Sequence, residues 1–124
     1  MQFCASPDAT TVEVVKCDLM DGAEVRKIIA EFRPHVVVHL AAERRPDRLE
    51  KDGEFAYAIN AEMPRNLAQI CFDLGVWMIY LSTNYVFDGT ATPYDETGHP
   101  NPMSVYPALR LAQTASRVRR RTNK

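Results

Sequence analysis

The sequence is poor in several features that would have set its class at once. It has three cysteines, Cys4, Cys17 and Cys71, an odd number without metal-site spacing. That excludes a disulfide scaffold and a zinc module as the framework. Cys17 and Cys71 fall in segments read as buried, and are expected to be small core hydrophobes in a reducing compartment. No run approaches the roughly 20 apolar residues of a membrane-spanning helix. Met1–Thr11 lacks the basic stretch and apolar run of a secretion signal, so a cytoplasmic location is expected. An excess of one charge is missing too: 15 basic and 16 acidic side chains leave a net charge of -1. No global field then favours nucleic acid or a membrane surface. The local exception is the basic tail with Arg117, Arg119, Arg120, Arg121 and Lys124, expected to be a solvated terminus. His35, His39 and His99 stand without a Cys/His/Asp cluster, so no metal is expected. There is no internal repeat and no low-complexity linker.

What is present fits one soluble domain. The 124 residues are 46% hydrophobic and 25% charged, near the average for globular proteins. Val12, Val14 and Val15 predict a short strand. Asp21 is placed to cap a helix, with Glu24 three residues on as its capping-box partner. Val25, Ile28, Ile29 and Phe32 make one apolar helical face, which Pro34 ends. Val36–Leu40 is a nearly unbroken apolar run, the pattern of a parallel strand covered on both faces. A polar loop over Glu43–Arg48 precedes a long helical region through Phe55, Ile59, Met63, Leu67, Ile70 and Leu74. Pro64 suits only a first turn, so a break near Asn60 and a second helix from about Glu62 are expected. Gly75 is a helix stop. Val76–Leu81 predicts a third strand, followed by a loop over Asp88–Pro102 and a last helix near Ser104–Arg117. This alternation argues for an α/β fold with a parallel sheet and right-handed crossovers. Ligands of such sheets bind beyond the carboxyl ends of the strands. Cys17–Leu19, Leu40–Arg45 and Ser82–Tyr85 are all expected on that rim.

Several residues on the rim can carry chemistry. Ala41 and Ala42 would let a ligand ring approach the backbone. Arg44 and Arg45 are forked donors suited to phosphate, or solvated loop charges. Asp18 is either a hydrogen-bond acceptor for adenine or ribose, or a turn residue. Thr83 and Tyr106 could supply the hydroxyl and phenol that a carbonyl reductase needs, although a tyrosine in that setting can equally be a packing residue. Arg110, one helical turn after Tyr106, could polarise the phenol but holds its proton too tightly to relay one.

Three strings carry a family resemblance: FRPHVVVHLAAERRPD (Phe32–Asp47), INAEMPRNLAQ (Ile59–Gln69) and IYLSTNYVFDGTATPYDE (Ile79–Glu96). They resemble extended short-chain dehydrogenase/reductases of the dTDP-4-dehydrorhamnose reductase type. AAERRPD, at Ala41–Asp47, looks nearest to the regulatory β subunits of methionine adenosyltransferase within that group. The resemblance implies an NADP-binding Rossmann fold. It places Asp18 and Leu19 on the adenine side, and Leu40, Ala41, Ala42 and Arg44 where the strand-end loop meets the dinucleotide. It also places Thr83 at the catalytic hydroxyl and Tyr106 at the active-site tyrosine beside the cofactor. For the β subunit it implies a catalytic-subunit partner and a regulatory role in making S-adenosylmethionine. The alternatives are an NADP-dependent nucleotide-sugar reductase and a non-functional fragment.

The departures from the family shape the remaining expectations. The glycine-rich βα unit that binds pyrophosphate at a helix N-terminus is missing, so the fold is expected to be a partial Rossmann domain over 1–124. Asn84 stands where the family has aspartate. Tyr106-Pro107-Ala108-Leu109-Arg110 replaces Tyr-Gly-x-x-Lys, which leaves Arg110 at the lysine position. Pro107 is expected to disfavour helix directly after the tyrosine, and 107–124 reads as a divergent basic segment. A chain cut short at both ends accounts for these features. Val12–Val15 should then stand detached or pair directly with Val36–Leu40. Either arrangement leaves open sheet edges and marginal stability, and the resemblance, with the pyrophosphate cradle missing, implies weak or no NADP binding.

Overall fold

The computed structural model describes residues 2–5 and 12–114, with the backbone alone for 2–5, 113 and 114. The basic tail and the last residues of the expected C-terminal helix lie outside the described residues, as does the side chain of Cys4. The chain divides into two compact units, residues 1–40 with 63–80, and residues 41–62 with 81–124.

Among the described residues, the first unit holds all the strands. β1 (Gln2–Ala5) pairs antiparallel with β2 (Val12–Val15), from Gln2 opposite Val15 to Ala5 opposite Val12. β3 (Val36–His39) and β4 (Trp77–Tyr80) form a separate two-stranded parallel sheet, with Val36 opposite Trp77 and His39 opposite Tyr80. The strand Val12–Val15 is therefore detached from the parallel sheet, the first of the two expected arrangements. Its partner Gln2–Ala5 was not expected, because one short segment with few β-branched residues carries little strand pattern of its own.

α1 (Gly22–Phe32) starts as its sequence dictates. The Asp21 carboxylate accepts from the amides of Ala23 and Glu24, each at 3.0 Å. Glu24 departs from the expected capping box: its Oε2 accepts from the Asp18 amide at 3.2 Å, so the pair caps the turn before the helix as well. Arg33 then takes a left-handed conformation (φ 51°), and its amide returns to the Ile29 carbonyl, closing the helix before Pro34. α4 (Met63–Asp73) carries Pro64 in its first turn and stops before Gly75, whose φ is 71°. Arg26 of α1 and Asp73 of α4 form an ion pair at 2.5 Å.

The core of this unit is Val25 and Ile29 of α1, Val37 of β3, and Leu67, Ile70 and Cys71 of α4, with Cys17, Leu19, Val76 and Met78 packed against it. Cys71 is buried as expected, and burial pushes its thiol up to about 11. Cys17 is only half-buried. Burying side chains of this size contributes about 1.5–3 kcal/mol each. β3 alternates between exposed and buried positions. The expectation that this strand is covered on both faces is thus corrected: the helices cover one face, and Val36, Val38, Trp77 and Ile79 on the other are exposed.

The second unit is helical. α2 (Pro46–Lys51) begins inside the segment expected to be loop, because Pro46 at the first helical position is already set for helix. α3 (Gly53–Tyr57), capped by the Asp52 side chain on the Phe55 amide at 2.9 Å, runs into a π-helical turn over Ala58–Glu62. That turn is the expected break near Asn60. A 3₁₀ turn, Asn84–Val86, and α5 (Val105–Thr114) are the unit's remaining elements among the described residues. α5 packs against the π-helical turn, the 3₁₀ turn and α2. The expectation for Pro107 is corrected. α5 begins at Val105 and includes both Tyr106 and Pro107, since a first-turn proline gives up an amide that has no partner within the helix.

Candidate functional site

The loop after β3 is held from within by one buried side chain. Asn60, with 0% of its surface exposed, sits in the π-helical turn. Its Oδ1 accepts from the Glu43 amide at 3.1 Å, and its Nδ2 donates to the Glu43 carbonyl at 2.9 Å. The side-chain amide thus does for Glu43 what a neighbouring strand would do, satisfying both main-chain groups of a buried residue. The π turn adds one residue to the helical repeat and presents Asn60 to that loop.

Glu43 in turn organises the arginines. Arg45 donates Nε to Oε1 at 2.9 Å and a guanidinium nitrogen to Oε2 at 2.7 Å, and its amide reaches Oε1 at 3.0 Å. Arg48 adds a bond to Oε2 at 3.2 Å and lies over the Phe55 ring at 5.1 Å. The hydrogen bonds from Arg45, ahead of its charge, hold the Glu43 carboxyl down at about 2. Arg45 is therefore committed to Glu43, which corrects its expected availability for phosphate. Arg44 is exposed and makes no ion pair with the described residues.

A second tie comes from α5. Arg110 is 2% exposed, and its guanidinium donates to the carbonyls of Ala41, at 3.4 Å, and Leu81. Ala41 lies two residues after β3 and Leu81 directly follows β4. One planar cation thus joins the segments leaving both parallel strands, a geometry that suits guanidinium better than ammonium. Two residues past Leu81, Thr83 caps the 3₁₀ turn, its hydroxyl oxygen accepting from the Tyr85 amide at 3.3 Å. Tyr106 is half-buried on the first turn of α5.

The long loop that follows is also ordered by one carboxylate. Asp88 accepts from the Thr90 amide and hydroxyl, from the Tyr94 phenol at 2.8 Å, and from Asn101 at 2.9 Å. These bonds, the Thr90 hydroxyl foremost, hold its carboxyl far below the usual range. Phe87 and Tyr94 stack at 4.2 Å within the same loop.

Of the residues singled out in the sequence, Ala41, Ala42, Arg44, Thr83, Tyr106 and Arg110 belong to the second unit. Leu40, exposed at the end of β3, closes the first-unit segment. Asp18 and Leu19 also belong to the first unit, after a strand that is not part of the parallel sheet. Their expected place on the same strand-end rim is corrected on that ground. Asp18 is a turn residue, accepting from the Met20 amide at 3.0 Å, and Leu19 packs on the core. Asn60 and Glu43 were missed. Their signals were faint: one polar residue inside an apolar helical stretch, and an acid set directly before two arginines.

The fit to a dinucleotide is partial. Ala41 and Ala42 are small and half-buried, and Arg44 is available to a phosphate. The five glycines stand singly at 22, 53, 75, 89 and 98, so no glycine-rich turn gathers amides for a pyrophosphate. The residues present do not fit the whole cofactor. Among the described residues no group of three or more His, Cys, Asp or Glu is placed to hold a metal ion, and no helix is long and apolar enough to cross a membrane.

Comparison with known proteins places this geometry. Methionine adenosyltransferase 2 subunit beta of Xenopus tropicalis is 46% identical over 94 residues, which is 76% of this chain and 28% of that protein. A dTDP-4-dehydrorhamnose reductase of Streptomyces griseus is 44% identical over 96 residues, 77% of this chain and 32% of that enzyme. Among solved structures, the dTDP-4-dehydrorhamnose reductase of Bacillus anthracis in complex with NADP superposes with a TM-score of 0.72 at 36% identity. It covers 79% of this chain, which spans 35% of its length. The chain thus spans about a third or less of the relatives it matches. The family model described as RmlD substrate binding domain matches residues 3–120, nearly the whole chain, and the chain belongs to that family.

Proposed function

We propose that this chain is a regulatory, β-subunit-like binding module that engages a methionine adenosyltransferase catalytic subunit in the cytoplasm and serves S-adenosylmethionine biosynthesis. The observation that carries this reading is the placement of Arg110. A reductase of this type needs a cation beside the tyrosine that holds cofactor and helps move a proton. Here the corresponding side chain is buried and bonded to the carbonyls of Ala41 and Leu81, and arginine keeps its proton. Thr83, Tyr106 and Arg110 are read as a vestigial catalytic set whose present work is structural. The 46% identity to a methionine adenosyltransferase 2 subunit beta supports the same direction.

Ala41, Ala42, Arg44 and Tyr106 are assigned to a dinucleotide-facing surface, with NADP as the nucleotide. Without a pyrophosphate cradle in these residues, binding is expected to be weak. The second reading is a nucleotide-sugar reductase, favoured by the retained hydroxyl and phenol of Thr83 and Tyr106 and by the 44% identity to the Streptomyces griseus enzyme. The discriminating experiment is co-purification with a methionine adenosyltransferase catalytic subunit, alongside an NADPH-oxidation assay on a dTDP-4-keto sugar. A stable complex without turnover is expected. Turnover without a complex overturns the proposal in favour of the reductase, and neither result overturns it in favour of an inert fragment.

A further inference from the structure

In an Asp-Gly pair the glycine amide can attack the side chain before it, because glycine has no Cβ to obstruct the approach. The chain holds three such pairs, Asp21-Gly22, Asp52-Gly53 and Asp88-Gly89. Their carboxylates are held very differently. Asp88 is fixed through both oxygens, by the Thr90 amide and hydroxyl, the Tyr94 phenol and Asn101. Asp21 accepts from two amides, those of Ala23 and Glu24. Asp52 accepts from the Phe55 amide alone, through Oδ1 at 2.9 Å. It also stands at the joint between α2 and α3, helices of six and five residues, with φ -138° and ψ 84°. Helices this short are weakly held by their own bonds, so this joint opens with the least loss of structure. The bonds made by Asp52 run from Arg48 to Ala56, so the character of the joint is local to that stretch.

We infer that Asp52-Gly53 is a site of spontaneous isomerisation, and that the change removes the cap of α3. Gly53 is the first residue of that helix, where an amide has no partner within the helix. Its nitrogen attacks Cγ of the Asp52 carboxyl in its acid form. An N–Cγ bond forms and a Cγ–O bond breaks. The amide hydrogen leaves with the carboxyl hydroxyl as water, and a succinimide ring remains. Water then opens the ring at one of its two C–N bonds. Opening at Cγ restores aspartate; opening at the main-chain carbonyl leaves isoaspartate. In isoaspartate the chain runs through Cγ and is one methylene longer. The group that accepted from the Phe55 amide has become part of the chain. α3 continues into the π-helical turn that carries Asn60, so the change falls at the entry to the element that holds the loop after β3.

The test incubates the full 124-residue chain in water enriched in heavy oxygen at mildly acidic pH. It is then digested in ordinary water and mapped by mass spectrometry. Each succinimide that hydrolyses takes one oxygen from the solvent, so its peptide becomes heavier. The label is expected at Asp52 before Asp21 or Asp88, together with an isoaspartate form of the same peptide. Gly53→Ala is the matched variant. A Cβ on Gly53 meets nothing within 4 Å, and the backbone there has no positive φ, so the variant should fold as the native chain does, checked by circular dichroism. It is expected to lose the label at Asp52 and retain it elsewhere. In the isolated isoaspartate form, amide exchange at Phe55 should be faster than in fresh chain. Label arising first at Asp21 or Asp88, or equally at all three, overturns the inference. So does a native chain that stays unlabelled while the urea-unfolded chain labels. A Gly53→Ala chain that labels at Asp52 as fast as the native one, or unchanged exchange at Phe55 in the isoaspartate form, also overturns it.

Discussion

Replacing Asn60 with alanine takes two hydrogen bonds from one residue of the loop after β3. In the native chain Asn60 meets both the amide and the carbonyl of Glu43, at 3.1 and 2.9 Å, and both residues are buried. Leaving one buried main-chain group without a partner costs about 1–3 kcal/mol. Two such groups give an upper range of about 6, but Glu43 stands close enough to the surface for relaxation to admit water. About 2–4 kcal/mol is the expected loss, and with a urea slope of about 2 kcal/mol/M the midpoint should fall by roughly 1–2 M. Asn60→Asp refines the test. It preserves the shape and the acceptor for the Glu43 amide, but its carboxylate faces the Glu43 carbonyl. Only the protonated acid can donate there, so burial and that contact raise its pKa in the folded state. Measured against the native chain at each pH, its deficit should therefore shrink between pH 7.5 and pH 5. A loss under about 0.5 kcal/mol for Asn60→Ala, or a deficit for Asn60→Asp that ignores pH, would refute the claim that this amide holds the loop.

The remaining predictions concern neighbouring groups. The Glu43 carboxyl is held at about 2 in the folded chain against an ordinary 4.5. The unfolded chain therefore takes up this proton first as pH falls. The stabilisation is complete above about pH 4.5 and disappears as pH drops through about 2. Urea unfolding of Glu43→Gln from pH 6 to pH 2.5 should show a flatter pH dependence than the native chain; identical slopes would count against the Arg45 and Arg48 pairing. Arg110→Met removes the donors to the Ala41 and Leu81 carbonyls. It should cost about 1–3 kcal/mol and speed amide hydrogen exchange after β3 and after β4 together. Acceleration on one side alone would contradict a shared tie.

How much of this was legible in the sequence follows physical lines. Local signals read well: the Asp21 cap, the Pro34 stop, the first-turn proline of α4 and the apolar runs of β3 and β4 each depend on residues a few positions apart. The loss of helical register near Asn60 was also legible, through Pro64. Non-local pairing was harder to see. Gln2–Ala5 pairs with Val12–Val15, and nothing in its four residues announces that pairing. The apolar run of β3 reported two faces fit for burial, which is correct for the strand, yet it carries no information on what occupies the second face. At the site, residue types pointed to the right loops but to the wrong bonds. Arg45 turns back to Glu43, and Arg110 reaches two carbonyls 69 and 29 residues away in the chain. Such contacts depend on where the helix axis is set, which spacing along one helix does not encode.

The central claim is that this chain acts by binding a catalytic subunit, and the most direct measurement is a calorimetric titration of the purified chain into a methionine adenosyltransferase catalytic subunit. The account predicts a saturable association that persists without NADPH and without any keto sugar. An absence of heat at protein concentrations of tens of micromolar, confirmed by unchanged sedimentation of the catalytic subunit, would contradict it.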